Sequence, residues 1–110
     1  MKTNEVTQID SEEFVDRIIL SKEDSLVKFS SPWNGTGRLM CNALHELAPQ
    51  YRKLNFYSID YDANWALATT YRVEPVPTLL FFKKGTLVDK LSGLIQKSVI
   101  TERINQFINQ

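Results

Sequence analysis

Apolar residues recur along this chain in two patterns of spacing, one typical of strands and the other typical of helices. Four short apolar runs bounded by polar, glycine or proline residues predict buried strands at residues 26–30, 55–60, 78–82 and 87–91. Apolar residues at helical spacing predict helices near residues 11–19, 35–53, 65–71 and 99–108. A short segment at residues 5–9 predicts a further, minor strand.

The ends of these elements carry their own signals. Ser11 or Asp10 can cap the first helix, and residues 83–86 predict a hairpin turn between the last two strands. Strands that alternate with helices favour parallel pairing through crossovers, and the final hairpin adds an antiparallel pair. We therefore expect an α/β fold: a mixed four- to five-stranded sheet with helices on both faces, in a single domain of residues 1–110.

Composition narrows the possible functions. The 13 basic and 13 acidic residues cancel, so no overall field attracts nucleic acid or an anionic membrane. Residues 1–10 lack the apolar core of a signal peptide, and no apolar run approaches the roughly 20 residues of a membrane span. The single cysteine excludes an intramolecular disulfide and a cysteine-based metal cluster. We expect a cytoplasmic protein without metal or cofactor, although one cysteine also suits an oxidising compartment.

Several short motifs, in one order along the chain, resemble those of the thioredoxin family over roughly residues 11–109. Residues 33–38, Trp-Asn-Gly-Thr-Gly-Arg, lie where a thioredoxin has Trp-Cys-Gly-Pro-Cys-Lys. Residues 59–64 are similar to the family's Val-Asp-x-Asp-x-Asn segment, and residues 76–78, Val-Pro-Thr, to its cis-proline motif. Gly93 matches the glycine before the last helix. The resemblance implies a thioredoxin-like fold.

The departures from the family lie at the positions that handle thiols and protons. Asn34 and Gly37 replace the two redox cysteines, and Thr36 replaces the proline between them. Lys28 stands where the family has a buried aspartate, and Ser58 where many members carry the lysine that partners it. Dithiol exchange needs one thiolate to attack and a second thiol to resolve the mixed disulfide. The chain therefore resembles a thioredoxin family member that has lost dithiol redox activity. Only the resemblance links it to cell redox homeostasis.

Two of these substitutions have structural consequences of their own. An ammonium buried without a partner costs several kcal/mol, so we expect Lys28 to pair with an acid, to reach solvent, or to lose its proton. We expect Asn34 to cap the helix that begins at Gly35. The unpaired donors at that helix end can also receive an acidic or carbonyl group from a partner.

Cys41 is the single thiol, about two turns into the same helix. We expect it to pack on the side of Leu44, some 10 Å from the helix start and too deep to replace the missing nucleophile. We interpret His45 as a surface residue, although a Cys–His nucleophile or half a metal site at this spacing stays open. Zinc requires three or four such ligands. Asp60 and Asp62 are interpreted as strand-end and helix-cap residues.

Peptide binding is the function that the retained motifs favour. In the family fold, the loop of Trp33, the Val76–Pro77 bond and Gly93 border a groove that binds extended peptides through the main chain before the proline. We therefore expect a polypeptide-binding or scaffold module, monomeric or weakly dimeric, with a protein or peptide partner. The enzyme alternative is a monothiol disulfide oxidoreductase that uses Cys41. A homodimer formed through the Trp33 surface is a third possibility.

Overall fold

The structure, a computed structural model, describes residues 4–31, 35–74, 76–93 and 95–109. Its five strands are β1 (Val6–Gln8), β2 (Ser25–Ser30), β3 (Asn55–Asp60), β4 (Thr78–Lys83) and β5 (Thr86–Ser92). They form one sheet in the spatial order β1-β3-β2-β4-β5. Strands β1 and β2 run parallel to β3, whereas β4 is antiparallel to β2 and β5 is antiparallel to β4. The predicted mixed α/β sheet is confirmed, with the minor strand as its fifth member.

Four α-helices flank the sheet: α1 (Ser11–Phe14), α2 (Gly35–Leu47), α3 (Trp65–Thr70) and α4 (Lys97–Ile108). A π-helical segment, Val15–Leu20, continues α1. Asp10 rather than Ser11 caps α1: its Oδ1 accepts the Glu13 N–H at 2.9 Å, and Glu13 Oε1 accepts the Asp10 N–H at 3.2 Å. No helix within the described ranges is long and apolar enough to cross a membrane.

Helix α2 is shorter than its sequence pattern predicts. The periodicity extends to residue 53, but the helix ends at Leu47 and a 3₁₀ turn, Ala48–Gln50, follows. Pro49 explains the difference, because proline has no N–H to donate and its ring clashes with the preceding turn of an α-helix. Tyr51, predicted as the last apolar position of the helix, still packs at the edge of the core from outside it.

Two apolar cores lie on opposite faces of the sheet. One includes residues of α2 and α4, and the other includes residues of α1, its π-helical continuation and α3. Because side chains alternate along a strand, Leu26 belongs to the first core and Val27 and Phe29 to the second. Lys28 therefore lies on the α2/α4 face, in line with Leu26.

Candidate functional site

The start of α2 is where the resemblance places the former redox centre. Gly35, Thr36 and Gly37 form the first turn of this helix, and none of them carries sulfur. Trp33 and Asn34 lie outside the described residues, so the predicted helix cap and the predicted aromatic contact remain predictions. The next residues of α2 with chemically reactive side chains are farther along, at Cys41 and His45.

The predicted peptide groove is represented by two adjacent loops. The Val76–Pro77 peptide bond is cis, and the Gly93 N–H donates a hydrogen bond of 2.8 Å to the Pro77 carbonyl. Gly93 has a φ of 87°, in the left-handed region that favours glycine, and nothing lies within 4 Å of where its Cβ would stand. Val76 is half-buried and Pro77 is buried. The structure therefore brings Val76, Pro77 and Gly93 together, as the resemblance implies.

A second region, which we call the Lys28 cavity, lies between α2 and the β1–β3 edge of the sheet. It is open to solvent and has a volume of about 430 Å³. Its lining consists of Val6, Gln8, Lys28, Ser30, Cys41, His45, Ser58, Ile59 and Asp60. Strand register explains the polar part of the lining, because paired residues on neighbouring strands lie side by side on the same face of the sheet. Lys28 pairs with Ser58, Ser58 with Gln8, and Ser30 with Asp60.

Lys28 is the most unusual residue of the cavity. Only 6% of its surface is exposed, and no hydrogen bond or ion pair to its Nζ is formed within the described part of the chain. In the same residues, every fully buried side-chain nitrogen or oxygen has a hydrogen-bond partner. The Lys28 ammonium must therefore keep contact with solvent, which it reaches through the cavity. Pairing with an acid is not found within the described residues, and the cavity geometry supports extension to solvent.

The structure corrects the predicted position of Cys41. The thiol is half-buried and lines the Lys28 cavity instead of packing beside Leu44 in the core. Met40, Leu44 and Leu47 are the core positions of α2, and a residue one step after Met40 lies about 100° around the helix, on the flank of the buried stripe. His45 is exposed, as predicted, and lines the same cavity four positions beyond the thiol.

Asp60 contributes a carboxylate to the lining of the cavity. Asp60 ends β3, as predicted, and its Oδ1 accepts the Asp62 N–H at 3.0 Å. Asp62 Oδ2 accepts the Ser31 hydroxyl at 2.8 Å, and Asn64 donates its amide to the Asp60 carbonyl at 2.9 Å. The strand-end role predicted for Asp60 is confirmed. The cap role predicted for Asp62 is wrong, because Asp62 lies within the 3₁₀ turn Asp62–Asn64 and accepts from Ser31, while Asn64 is the N-cap residue of α3. Nowhere in the described ranges do three or more His, Cys, Asp or Glu side chains form a group able to hold a metal ion.

Sequence reasoning considered Cys41 and His45 as a pair on one helix but Lys28 apart from them, and it missed that all three share one cavity with Asp60 and Ser58. Two signals pointed to it. The pleat places Lys28 on the Leu26 face, and the spacing of Cys41 and His45 places both on one side of α2. The sequence pattern does not contain the rotation of α2 about its axis relative to the sheet, because packing of the core determines that rotation.

Comparison with known proteins gives one family. The family model described as Thioredoxin matches residues 5–106. The chain is 32% identical over 106 residues to "Thioredoxin M-type, chloroplastic" of Pisum sativum and 31% identical over 106 residues to "Thioredoxin" of Haemophilus influenzae. Each alignment covers 96% of this chain, with 62% of the pea protein and 99% of the Haemophilus protein. The chain spans about three fifths of the chloroplastic relatives from pea and spinach, at 62% and 59%.

Solved structures agree with this comparison. A mutant thioredoxin from Halobacterium salinarum NRC-1 superimposes with a TM-score of 0.87 at 26% sequence identity, covering 97% of this chain and 94% of that one. Thioredoxin from Trypanosoma brucei brucei superimposes with a TM-score of 0.87 at 17% identity, covering 99% and 96% of the two chains. The second likeness shows the fold alone.

Proposed function

Because this chain belongs to the thioredoxin family, we propose that it is a redox-inactive member that binds an extended polypeptide. The binding site is the groove bordered by Trp33, Val76, Pro77 and Gly93. The partner is a protein or peptide, and the binding mode is the addition of a peptide strand, with main-chain hydrogen bonds and an aromatic contact from Trp33.

The chemistry at the start of α2 supports the loss of dithiol exchange. Asn34 and Gly37 occupy the cysteine positions, and an amide or a hydrogen atom can neither attack a disulfide nor resolve one. Cys41 lies six residues after Gly35, which corresponds to about 9 Å along the helix axis. The single thiol therefore lies well along α2 from the helix start, where a thioredoxin has its redox cysteines.

The groove loops support retained binding. The observation that carries the proposal is the 2.8 Å hydrogen bond from Gly93 to Pro77, which connects the two loops in a chain that has lost both redox sulfurs. Val76 precedes the proline and is half-buried, so part of it reaches the surface. A surface held in place by backbone hydrogen bonds loses little freedom when a peptide binds, which favours affinity.

A matched pair of tryptophan variants tests the proposal. Peptides selected on the parent protein are labelled, and their affinities are measured by fluorescence anisotropy for Trp33→Ala and Trp65→Ala. We expect Trp33→Ala to weaken binding by about tenfold or more with a nearly unchanged melting temperature, since buried aromatic contacts dominate such interfaces. Trp65, 65% exposed at the start of α3, is the control and should bind like the parent. Equal affinity for the parent and Trp33→Ala contradicts the proposal.

The position of Cys41 favours one second candidate, a monothiol disulfide oxidoreductase. In that reaction the Cys41 thiolate attacks one sulfur of a disulfide and releases the other as a thiolate, and a second thiol such as glutathione then resolves the mixed disulfide. The thiol is half-buried at an open cavity that His45 also lines, instead of being enclosed by apolar groups.

The Cys41→Ser variant separates the two functions. Disulfide reduction is measured with glutathione as the co-reactant, for the parent and for Cys41→Ser at equal concentration. Equal rates, both at background, support the binding module. A parent rate well above that of Cys41→Ser replaces it with the monothiol enzyme.

A further inference from the structure

We propose that the Lys28 cavity is a binding site for a small oxyanion, a carboxylate or a phosphate, with the Lys28 ammonium as its principal ligand. Among the described residues, none that lines this cavity belongs to the peptide groove, so the site goes beyond the proposed polypeptide binding.

The first argument is the contrast between Lys28 and three lysines whose ammonium groups have partners. Lys83 Nζ donates to the Phe107 carbonyl at 2.8 Å, Lys90 Nζ to the Arg72 carbonyl at 2.9 Å, and Lys97 Nζ pairs with Glu46 at 2.7 Å. Lys28 is more than nine-tenths buried, yet among the described residues it has no such partner. A largely buried ammonium without a direct hydrogen bond or ion pair is unfavourable, so an anion that enters the cavity gains a direct contact that the described residues do not supply.

The second argument is what surrounds the ammonium. Ser58 lies beside Lys28 in the sheet and Gln8 lies beside Ser58, so a hydroxyl and an amide continue the row from β2 to the edge strand. His45 adds an imidazole from α2. These groups donate hydrogen bonds to oxyanions, and donors assisted by a positive charge form the stronger ones. A volume of about 430 Å³ admits a phosphate together with several waters, since a water in the liquid occupies about 30 Å³.

The Asp60 carboxylate repels a bound anion, so the proposal predicts that removing its charge raises anion affinity. Its carboxylate lines the same cavity, while its Oδ1 accepts the Asp62 N–H. Removing this negative charge reduces the repulsion felt by a bound anion. The Asp60→Asn variant keeps an oxygen for the Asp62 N–H, so the turn should be retained and anion affinity should rise.

The experiment titrates the protein with sodium formate or sodium phosphate, in place of sodium chloride at constant ionic strength. Binding is followed by amide chemical shifts in NMR spectra and by the melting temperature. We expect saturable shifts around Lys28, Ser58 and Gln8, and a rise in melting temperature with the logarithm of anion concentration. The formate and phosphate arms show whether the site takes carboxylates or phosphates.

Variants decide whether Lys28 is the ligand. We expect Lys28→Met to lower affinity by about tenfold or more, and Asp60→Asn to raise it. Lys97→Met, which removes an exposed lysine, should bind like the parent. Lys28→Arg keeps the charge and provides a second variant if Lys28→Met does not fold. The absence of a saturable response in the parent, or equal saturation of the parent and Lys28→Met, overturns the proposal.

Discussion

On the α1/α3 face of the sheet, Phe14, Tyr71 and Phe82 pack in T-shaped pairs, with ring centroids 5.4 to 5.5 Å apart. The α2/α4 face has a comparable aromatic pair, Phe81 and Phe107 at 5.7 Å. Beyond that pair, however, the second face changes to the polar Lys28 cavity toward the β1–β3 edge. The same strands therefore support one mainly apolar face, where Ser25 and Thr78 are the fully buried polar residues described, and one face that is divided between core and cavity.

The pleat of β2 explains how both arrangements coexist. Val27 and Phe29 are completely buried on the α1/α3 face, while Lys28 between them points to the other face. A charge introduced at one position thus changes one layer and leaves the packing of the other layer intact. Stability and candidate chemistry are separated by the sheet itself, and this separation can be tested.

The largest effect is expected from the apolar face. Phe82→Ala removes a fully buried ring that contacts both Phe14 and Tyr71, so the free energy of unfolding should fall by about 3–5 kcal/mol in urea denaturation. Val88→Ala in β5, where the side chain is 40% exposed, is the control and should change stability by no more than about 0.5 kcal/mol. A loss below about 1 kcal/mol for Phe82→Ala would mean that this face is not the main source of stability.

The next effect has the opposite sign and concerns the cavity. In buffer without added oxyanion, Lys28→Met should raise the free energy of unfolding by about 1–2 kcal/mol, because an apolar chain replaces a largely buried ammonium that forms no hydrogen bond or ion pair within the described residues. Lys83→Met is the matched control, because that lysine donates to the Phe107 carbonyl and lies 5.0 Å from the Phe107 ring centroid. Its loss should cost about 1 kcal/mol. A destabilising Lys28→Met would show that the ammonium has a favourable partner.

Thiol labelling sharpens the boundary between core and cavity on α2. Cys41 should react with iodoacetamide in the folded protein more slowly than after denaturation, since it is half-buried at an open cavity. Met40→Cys in a Cys41→Ser background moves the thiol to the neighbouring position, which is 2% exposed, and should label only upon unfolding. Equal protection of the two thiols would place Cys41 in the core after all.

The smallest effect is a change of stability at alkaline pH. Burial raises the pKa of the Tyr71 phenol above its ordinary value of 10.0, so the folded state favours the neutral form. The neutral phenol therefore makes its full contribution to the free energy of unfolding below about pH 10, and this contribution is lost as the pH rises through the pKa of the folded state. Tyr71→Phe should therefore reduce the decline in unfolding free energy above pH 10, measured by denaturation at several pH values. If Tyr71→Phe leaves the decline unchanged, the loss of stability above pH 10 comes from other groups. Tyr57 is one of them, because burial also raises its pKa.

Much of the fold was predictable because its signals are local. Apolar runs located β2, β3 and β4 to within a residue or two, and the turn signals located the closing hairpin. The premature end of α2 was also readable, since Pro49 stands in the sequence and conflicts with an uninterrupted helix. The position of Cys41 was not readable, because residues on the flank of an apolar stripe turn toward either core or solvent according to how the helix packs.

The amino-acid sequence alone determined the order of the elements, the family resemblance and the absence of sulfur at both redox positions, since each depends on residue identity and local periodicity. Only the tertiary structure decided that Lys28, Cys41, His45 and Asp60 line one cavity. They belong to β2, α2 and β3, and their proximity depends on strand register and on the rotation of α2. Both are set by the burial of distant apolar side chains, which no local pattern contains.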